Sequence, residues 1–310
     1  MILITGGAGF IGLNFVKYIA KFVSVKDIIV VDKLTYAANG AELAKTKVMH
    51  YCEDIADLNR MEMIFKNHKI STIFHFAAES HVDNSINDCM PFVRSNIIGT
   101  INLLELTKRY CPQVRFIHVS TDEVFGQVFA PRSFNETSPL KPRNPYSASK
   151  ASAEHFVNAY RETFKLNTII VNSSNNYGPY QHEEKLIPKT ISNLLRNKKV
   201  PVYGDGTQIR DWIYVEDTCD AIWNVYLKGL IGDRYCIGGD CEIQNIDLVK
   251  TIIKKLNVSQ DLIEYVTDRP GHDARYYTDC SYIKHMLGWL PKWDLSVGLE
   301  ETIRYMKGKV

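Results

Sequence analysis

A short apolar run, Ile2 to Ile4, gives way at once to Gly6-Gly7-Ala8-Gly9-Phe10-Ile11-Gly12, after which apolar side chains recur at Phe15, Val16, Ile19 and Phe22. The first run is too brief for a helix and the later spacing is helical. The segment therefore reads as strand, glycine turn and a helix over Phe10 to Phe22. A second apolar run, Ile28 to Val31, ends at Asp32, twenty residues beyond Gly12. Gly6, Gly9 and Gly12 permit a tight turn, close backbone approach to a pyrophosphate and close packing of helix on strand. The helix N-terminus then faces the phosphates. A carboxylate at the end of the second strand accepts hydrogen bonds from ribose hydroxyls and repels a 2′-phosphate, so NAD is favoured over NADP; Lys33 beside it pulls the other way. Glycines alone would be a weak signal, and it is the strand before, the helix after and the acid beyond that make a dinucleotide fingerprint.

The alternation continues. Thr72 to Phe76 reads as a strand, Ile97 to Thr107 as a helix, Arg115 to Val119 as a strand, Ser149 to Phe164 as a helix and Thr168 to Val171 as a strand. This pattern predicts an α/β fold with a doubly wound parallel (Rossmann) sheet. Pro131 to Pro145, with four prolines, reads as a surface loop leading to Tyr146. A chain of 310 residues is long for one core. Since the alternation breaks up after about residue 172, we expect an NAD-binding domain over residues 1–172. Residues 173–310 should form mainly a smaller, discontinuous α/β substrate-binding domain, with some later segments returning to the first.

Apolar residues make up 45% of the chain and charged residues 23%, the mixture of a globular enzyme. A net charge of +2 from 37 basic and 35 acidic residues leaves no broad basic face, which argues against a nucleic-acid partner. Seven irregularly spaced cysteines read as reduced thiols of a cytoplasmic protein. Cys236 and Cys241 lack a second pair or a histidine repeat, so no metal is expected. No leader-like or membrane-spanning stretch is visible, so neither targeting nor a membrane partner is expected.

Tyr146 and Lys150 are four apart and share one face of a helix. Bringing a phenol from a pKa of about 10 to about 7 takes about 4 kcal/mol of preference for phenolate, which an ammonium and a bound cationic nicotinamide can provide. Tyr146 can then take the proton of a substrate hydroxyl while hydride leaves the same carbon. Asp122 and Glu123, in Ser120-Thr121-Asp122-Glu123, need a second explanation, because a simple alcohol dehydrogenase has no use for paired carboxyls. Oxidising a sugar carbon acidifies the hydrogen next to it. One carboxylate can remove that hydrogen while a second carboxyl protonates a departing hydroxyl, provided their environments push their pKa values apart. Neighbouring residues on a strand face opposite ways, so both reach one substrate only if the chain turns there, which Phe125-Gly126 permits.

These strings together carry a family resemblance. The chain resembles the extended short-chain dehydrogenase/reductases (the NAD-dependent epimerase/dehydratase family), and within them the sugar-nucleotide 4,6-dehydratases, along nearly its whole length. Besides the glycine turn and Tyr146-Ser147-Ala148-Ser149-Lys150, the match rests on Asp32-Lys33-Leu34-Thr35-Tyr36-Ala37, His75-Phe76-Ala77-Ala78-Glu79-Ser80-His81-Val82-Asp83 and Ser120-Thr121-Asp122-Glu123-Val124-Phe125-Gly126. It continues in Ser174-Asn175-Asn176-Tyr177-Gly178-Pro179-Tyr180, Arg210-Asp211-Trp212 and Arg269-Pro270-Gly271-His272-Asp273. The chain departs from the family pattern at Asn39-Gly40-Ala41-Glu42 and at Cys236.

The resemblance implies dehydration of dTDP-glucose to a 4-keto-6-deoxy sugar nucleotide, with NAD regenerated in each turnover. Tyr146 takes the C4 hydroxyl proton, Lys150 assists and holds the nicotinamide ribose, and Thr121 bonds the C4 oxygen. Glu123 removes the C5 proton and Asp122 protonates the leaving C6 hydroxyl. The cofactor would be held by Gly6, Gly9, Phe10, Ile11, Gly12, Asp32, Lys33 and Thr35, by Asp54 and Ile55 at the adenine, and by Ala77, Ala78 and Ser80, with Asn96 supporting the site. Substrate contacts would come from Ser80, Thr121, Asn175, Glu184, Lys185, Leu186, Pro201, Tyr203, Arg210, Asn245, Arg269 and His272. A homodimer joined through the helices after Phe92 and Tyr146 is implied as well. An arginine pair suits a pyrophosphate, Tyr203 is expected to pack on a base or sugar, and His272 competes with the reading of an ordinary surface-loop histidine.

The alternatives are the same dehydration of UDP-glucose, a sugar-nucleotide epimerase or decarboxylase, and a nucleotide-sensing protein that kept the fold without catalysis. The presence of the whole catalytic set argues against the last. Tyr146→Phe should abolish the first oxidation. Glu123→Gln should leave C4 oxidation detectable as transient reduction of the nicotinamide while blocking water loss, and near-normal product from that variant would sink the carboxylate assignment.

Overall fold

In the computed structural model, which describes residues 1–309, the early apolar runs pair in parallel. β1 (Ile2–Thr5) lies between β2 (Ile28–Val31) and β4 (Thr72–His75), and β3 (Met49–Tyr51) borders β2. β5 (Arg115–Thr121) and β6 (Thr168–Ser173) extend the sheet beyond β4. β7 (Asn175–Tyr177), β8 (Val200–Tyr203) and β9 (Ile209–Tyr214) leave it, and β10 (Arg234–Ile237) returns to pair with β6. The order is β3-β2-β1-β4-β5-β6-β10, with the winding direction reversing between β1 and β4.

Side chains alternate between sheet faces, and in β1 the alternation divides two cores. Leu3, Ile29, Ile73 and Phe116 face Met61, Leu103, Leu104 and Val157 of the helices Leu58–Asn67, Gly99–Tyr110 and Pro145–Phe164. Ile4, Val30, Phe74 and Ile117 face Leu13, Phe15, Ile222 and Val225 of the helices Phe10–Ile19 and Val215–Lys228. With helices on both faces, β1, β2 and β4 are buried throughout, which is why they read as unbroken apolar runs. A third core joins β8 and β9 to the helices Leu186–Leu195, Asn245–Leu256 and Leu295–Lys307. Here β9 pairs with β7 and with β11 (Glu242–Gln244), and β8 pairs with β12 (Ile263–Val266).

Several boundaries differ from the sequence reading. The first helix ends at Ile19 rather than Phe22; the chain closes into a tight turn there, and Phe22 lies exposed with its ring stacked on Trp223 at 6.0 Å. The helix read from Ser149 begins at Pro145, capped by Asn144, whose side chain accepts from the Ser147 amide at 2.8 Å while its own amide donates to Ser147 Oγ. The helix expected over Ile97 to Thr107 runs Gly99–Tyr110 and is preceded by a wide π turn, Val93–Ile98. β5 runs on past its apolar stretch to Thr121. Among the described residues no helix is long and apolar enough to cross a membrane, no group of three His, Cys, Asp or Glu could hold a metal ion, and all seven cysteines are free.

One buried ion pair fastens the returning strand. Arg234 of β10 meets the fully buried Glu154 at 2.7 Å, and Asn172 of β6 donates to Glu154 Oε1 at 2.8 Å while accepting from Arg234 at 3.0 Å. Removing the cation leaves a desolvated carboxylate without its partner, so Arg234→Met should cost about 3–5 kcal/mol, read as a lower midpoint of urea unfolding. A loss below ~1 kcal/mol would place the pair with ordinary surface ion pairs.

Candidate active site

The carboxyl ends of the sheet strands open into a cleft at the β1/β4 switch point. Gly6, Gly9, Phe10, Ile11 and Gly12 line it from the turn after β1, and Asp32, Lys33 and Thr35 from the end of β2. Asp54 and Ile55 follow β3, Ala77, Ala78 and Ser80 follow β4, and Tyr146 and Lys150 close the inner end, so all fifteen expected cofactor residues share one cleft. The turn fits a dinucleotide. A Cβ at Gly12 would lie 2.1 Å from the Gly6 carbonyl oxygen, so the helix start can sit this close to the turn only with glycine. Asp32 accepts from the amides of Ala8 (2.9 Å) and Leu34 (2.8 Å), which fixes its carboxyl at the rim. Lys33 does not stand free beside it: its Nζ pairs with Glu79 at 2.9 Å and donates to Ser95 at 3.1 Å, which neutralises the charge that would draw a 2′-phosphate.

Asn96 sits in the π turn and ties two walls together. Its side chain accepts from the Glu79 amide at 2.8 Å and donates to the Glu79 carbonyl at 3.0 Å and to Ser149 Oγ at 2.8 Å, locking the post-β4 loop to the Tyr146 helix.

Tyr146 and Lys150 are buried on one face of their helix. Lys150 Nζ donates to the Val119 carbonyl at 2.8 Å, and burial pushes the ammonium down to about 8. Burial, reinforced by Glu123, drives the Tyr146 phenol well above its usual value, and only the nearby Thr121 hydroxyl opposes this. Among the protein's own groups the phenol stays protonated.

The two carboxyls lie where β5 ends in a 3₁₀ turn, Asp122–Phe125, stopped by Gly126 at φ +82°. A Cβ on Gly126 would meet the Lys141 carbonyl oxygen at 2.3 Å. The turn separates the two environments. Glu123 lines a second cavity, whereas Asp122 is 2% exposed beneath the wall. Thr121 Oγ1 donates to Asp122 Oδ1 at 3.1 Å and accepts from the Glu123 amide at 3.3 Å, and Asp122 Oδ2 has no partner. Burial, then the charge of Glu123, pushes the Asp122 carboxyl up to about 8. Thr121 and Asp122 line neither cavity: Asp122 is buried behind the wall, and Thr121, half-buried, spends its hydroxyl within the turn.

The second cavity brings together the other expected substrate residues: Ser80, Asn175, Glu184, Lys185, Leu186, Pro201, Tyr203, Arg210, Asn245, Arg269 and His272. It meets the first at Ser80, Gln181, Glu184 and Lys185. Lys185 Nζ donates to the Ser80 carbonyl at 2.7 Å. The amide oxygens of Asn175 and Asn245 are buried without a partner. His272 is no loose surface histidine: its side chain is 5% exposed, bonds Asp268 at 2.7 Å and meets the Tyr203 ring edge-on, and burial pushes it down to about 4. Tyr203 donates to Asp83 at 2.9 Å. The departures at Asn39, Gly40, Ala41, Glu42 and Cys236 line neither cavity.

Sequence reasoning passed over Glu79, Gln181 and Tyr276. Glu79 lies within the stretch His75 to Asp83 and could have been found as the partner of Lys33. Gln181 and Tyr276 reach the site only because the chain folds back.

The sequence profile of the GDP-mannose 4,6 dehydratase family matches residues 3–302. The dTDP-glucose 4,6-dehydratase of Haemophilus influenzae is 45% identical over 98% of this chain and 97% of its own, and that of Escherichia coli is 44% identical over 98% and 92%. Among solved structures, the dTDP-glucose 4,6-dehydratase of Streptomyces venezuelae with NAD bound is 40% identical, with a TM-score of 0.95 over 99% of this chain and 97% of that one. The UDP-glucose 4-epimerase of Thermotoga maritima, solved with UDP-glucose, is 30% identical, with a TM-score of 0.92 over 99% of each chain.

Asp122 has a measurable signature. From its unfolded value of 3.8 up to about 8, the unfolded chain gives up this proton and the folded chain keeps it. The folded state binds more protons there, so this group lowers stability progressively as pH rises through that window. Asp122→Asn keeps the shape and removes the penalty. At neutral pH the variant should melt higher than the parent, with an advantage that grows from pH 4 towards pH 8; identical pH slopes would show that Asp122 ionises normally.

Proposed function

The chain belongs to the dTDP-glucose 4,6-dehydratases of the extended short-chain dehydrogenase/reductase family, and we propose that Thr121, Asp122, Glu123, Tyr146 and Lys150 carry out its reaction. That reaction converts dTDP-glucose to dTDP-4-keto-6-deoxyglucose, by oxidation at C4, loss of water across C5 and C6 and return of hydride to C6. NAD held by the residues of the first cleft would supply a cationic ring that favours Tyr146 phenolate and a two-electron acceptor for the C4 oxidation.

Tyr146 takes the C4 hydroxyl proton, with Thr121 directing the C4 oxygen, and Lys150 is positioned by Val119 to bond the nicotinamide ribose. Glu123, on the cavity wall, removes the C5 proton made acidic by the new ketone. Asp122 supplies the proton that the C6 hydroxyl needs to leave as water; a carboxyl held protonated to about pH 8 is suited to that task. Arg210, Arg269 and Lys185 would meet the pyrophosphate, and Asn175 and Asn245 offer their unpaired oxygens to sugar hydroxyls or base.

One observation carries this reading: Asp122, buried so that its carboxyl is held toward the protonated form, stands directly beside Glu123, which lines the substrate cavity. The fold is shared with a UDP-glucose 4-epimerase and cannot discriminate. Epimerisation at C4 has no use for a second acid and base at C5 and C6, so the carboxyl pair does.

The Glu79–Lys33 pair supports NAD over NADP. In the proposed division of labour, residues 1–172 with β10 hold the cofactor and most of the remainder holds the sugar nucleotide. Exposed Met90, Ile98 and Phe156, on or beside the helices after Phe92 and Tyr146, support a homodimer through that face. Free thiols suit a cytoplasmic location.

Purified protein should remove water from dTDP-glucose with no cofactor added, followed by mass spectrometry, and should leave UDP-glucose largely intact. Equal turnover of both would remove the base preference, and no mass loss from either would overturn the reading.

A further inference from the structure

Behind Glu123 lies a chain of buried polar groups that the proposed roles do not use. The Tyr276 hydroxyl lies 3.4 Å from Glu123 Oε2 and 2.5 Å from Asp273 Oδ2. Asp273 is fully buried and is held through its other oxygen by Arg143 at 2.8 Å, a side chain 46% exposed. The Tyr276 ring is fixed from the side by the Arg210 guanidinium, 4.2 Å from its centre, and Arg210 also donates to the Asp273 carbonyl at 2.8 Å. Asn144 donates to Glu123 Oε2 at 3.3 Å and so holds that oxygen toward the phenol. A buried carboxylate is costly unless paired. Here its partners are one half-exposed cation and one phenol aimed at a catalytic base.

A phenol has a single proton, and the 2.5 Å contact commits it to Asp273. The longer contact therefore works in the other direction, with the phenol oxygen's lone pair open to a proton from Glu123. We propose that Tyr276 and Asp273 form a proton relay that connects Glu123 with solvent at Arg143. Once Glu123 has taken the C5 proton, its O–H bond breaks as the phenol oxygen gains that proton, and the phenol's original proton passes to Asp273 Oδ2. One proton moves from Glu123 to Asp273, no electrons are transferred, and the phenol ends as it began. Water reaches Asp273 when the exposed Arg143 swings aside, and the path run backwards returns a solvent proton to Glu123 for delivery to C5. Tyr276 and Asp273 are positioning residues that act through Glu123.

The inference rests on the dehydratase reading and is tested separately from it. The parent and two variants, Tyr276→Phe and Asp273→Asn, are given dTDP-glucose in heavy water, and the fraction of product carrying deuterium at C5 is measured by NMR. The fraction is counted per turnover, so a general loss of activity does not move it. Tyr276→Phe removes the relay oxygen. Asp273→Asn keeps an acceptor for the phenol but cannot take up its proton, which separates relay from mere packing. The parent should label C5, and in both variants exchange should fall by roughly tenfold relative to return of the substrate's own hydrogen. If Tyr276→Phe fails to fold, the nearly isosteric Asp273→Asn decides alone. Full labelling in a folded variant, or none in the parent, overturns the relay while leaving the dehydratase standing; a parent that removes no water overturns both.

Discussion

Parallel pairing of β1 with both β2 and β4 sends the chain outward from one strand in two directions, and everything functional in this protein depends on that arrangement. Because the strands run the same way, their carboxyl ends share one edge. Because the winding reverses between β1 and β4, the connecting helices part there and leave a crevice. The glycine turn after β1, Asp32 after β2 and the Ala77–Ser80 loop after β4 are thereby gathered around one opening, and the carboxyl pair after β5 lies beside it with Glu123 on the wall of the adjoining cavity, though these segments are spread over more than a hundred residues of sequence.

The edge is also where the fold carries its unfavourable groups. Asp122 is buried with an unpaired oxygen, Lys150 is a buried ammonium bonded to a backbone carbonyl, and Tyr146 is a phenol whose ionised form burial opposes. Each costs stability; burial raises the Asp122 carboxyl and lowers the Lys150 ammonium, whereas for Tyr146 it opposes the phenolate that a base needs. The rest of the sheet offsets them through apolar cores on both faces and the Glu154–Arg234 pair at the β6/β10 border. Separation of Asp122 from Glu123 is the finest adjustment: a single 3₁₀ turn ended by Gly126 places one carboxyl on a cavity wall and its neighbour behind it.

Much of this was legible in the chain. The strand, glycine turn and helix, the run of buried strands and the Tyr146–Lys150 spacing all rest on local periodicity, which short stretches encode by themselves. The helix N-terminus at Pro145 was also written locally, in Asn144 and Ser147, but its cap lies in a proline-rich stretch that reads as loop. The early end of the first helix was hidden because Phe22 continues the apolar spacing and yet stacks on Trp223, two hundred residues away. The quenching of Lys33 by Glu79 and the approach of Tyr276 to Glu123 depend likewise on long-range contacts.

The sequence by itself determined the fold class, the dinucleotide fingerprint and the choice of Asp122, Glu123 and Tyr146 as candidates for acid, base and phenol, because those follow from residue type and near-neighbour spacing. Only the tertiary structure decided their states. Which carboxyl holds its proton, where Lys150 spends its hydrogen bond and which way the Tyr276 hydroxyl points are set by burial and by partners brought from distant segments. Desolvation and hydrogen-bond geometry belong to a folded surface and have no value along a chain.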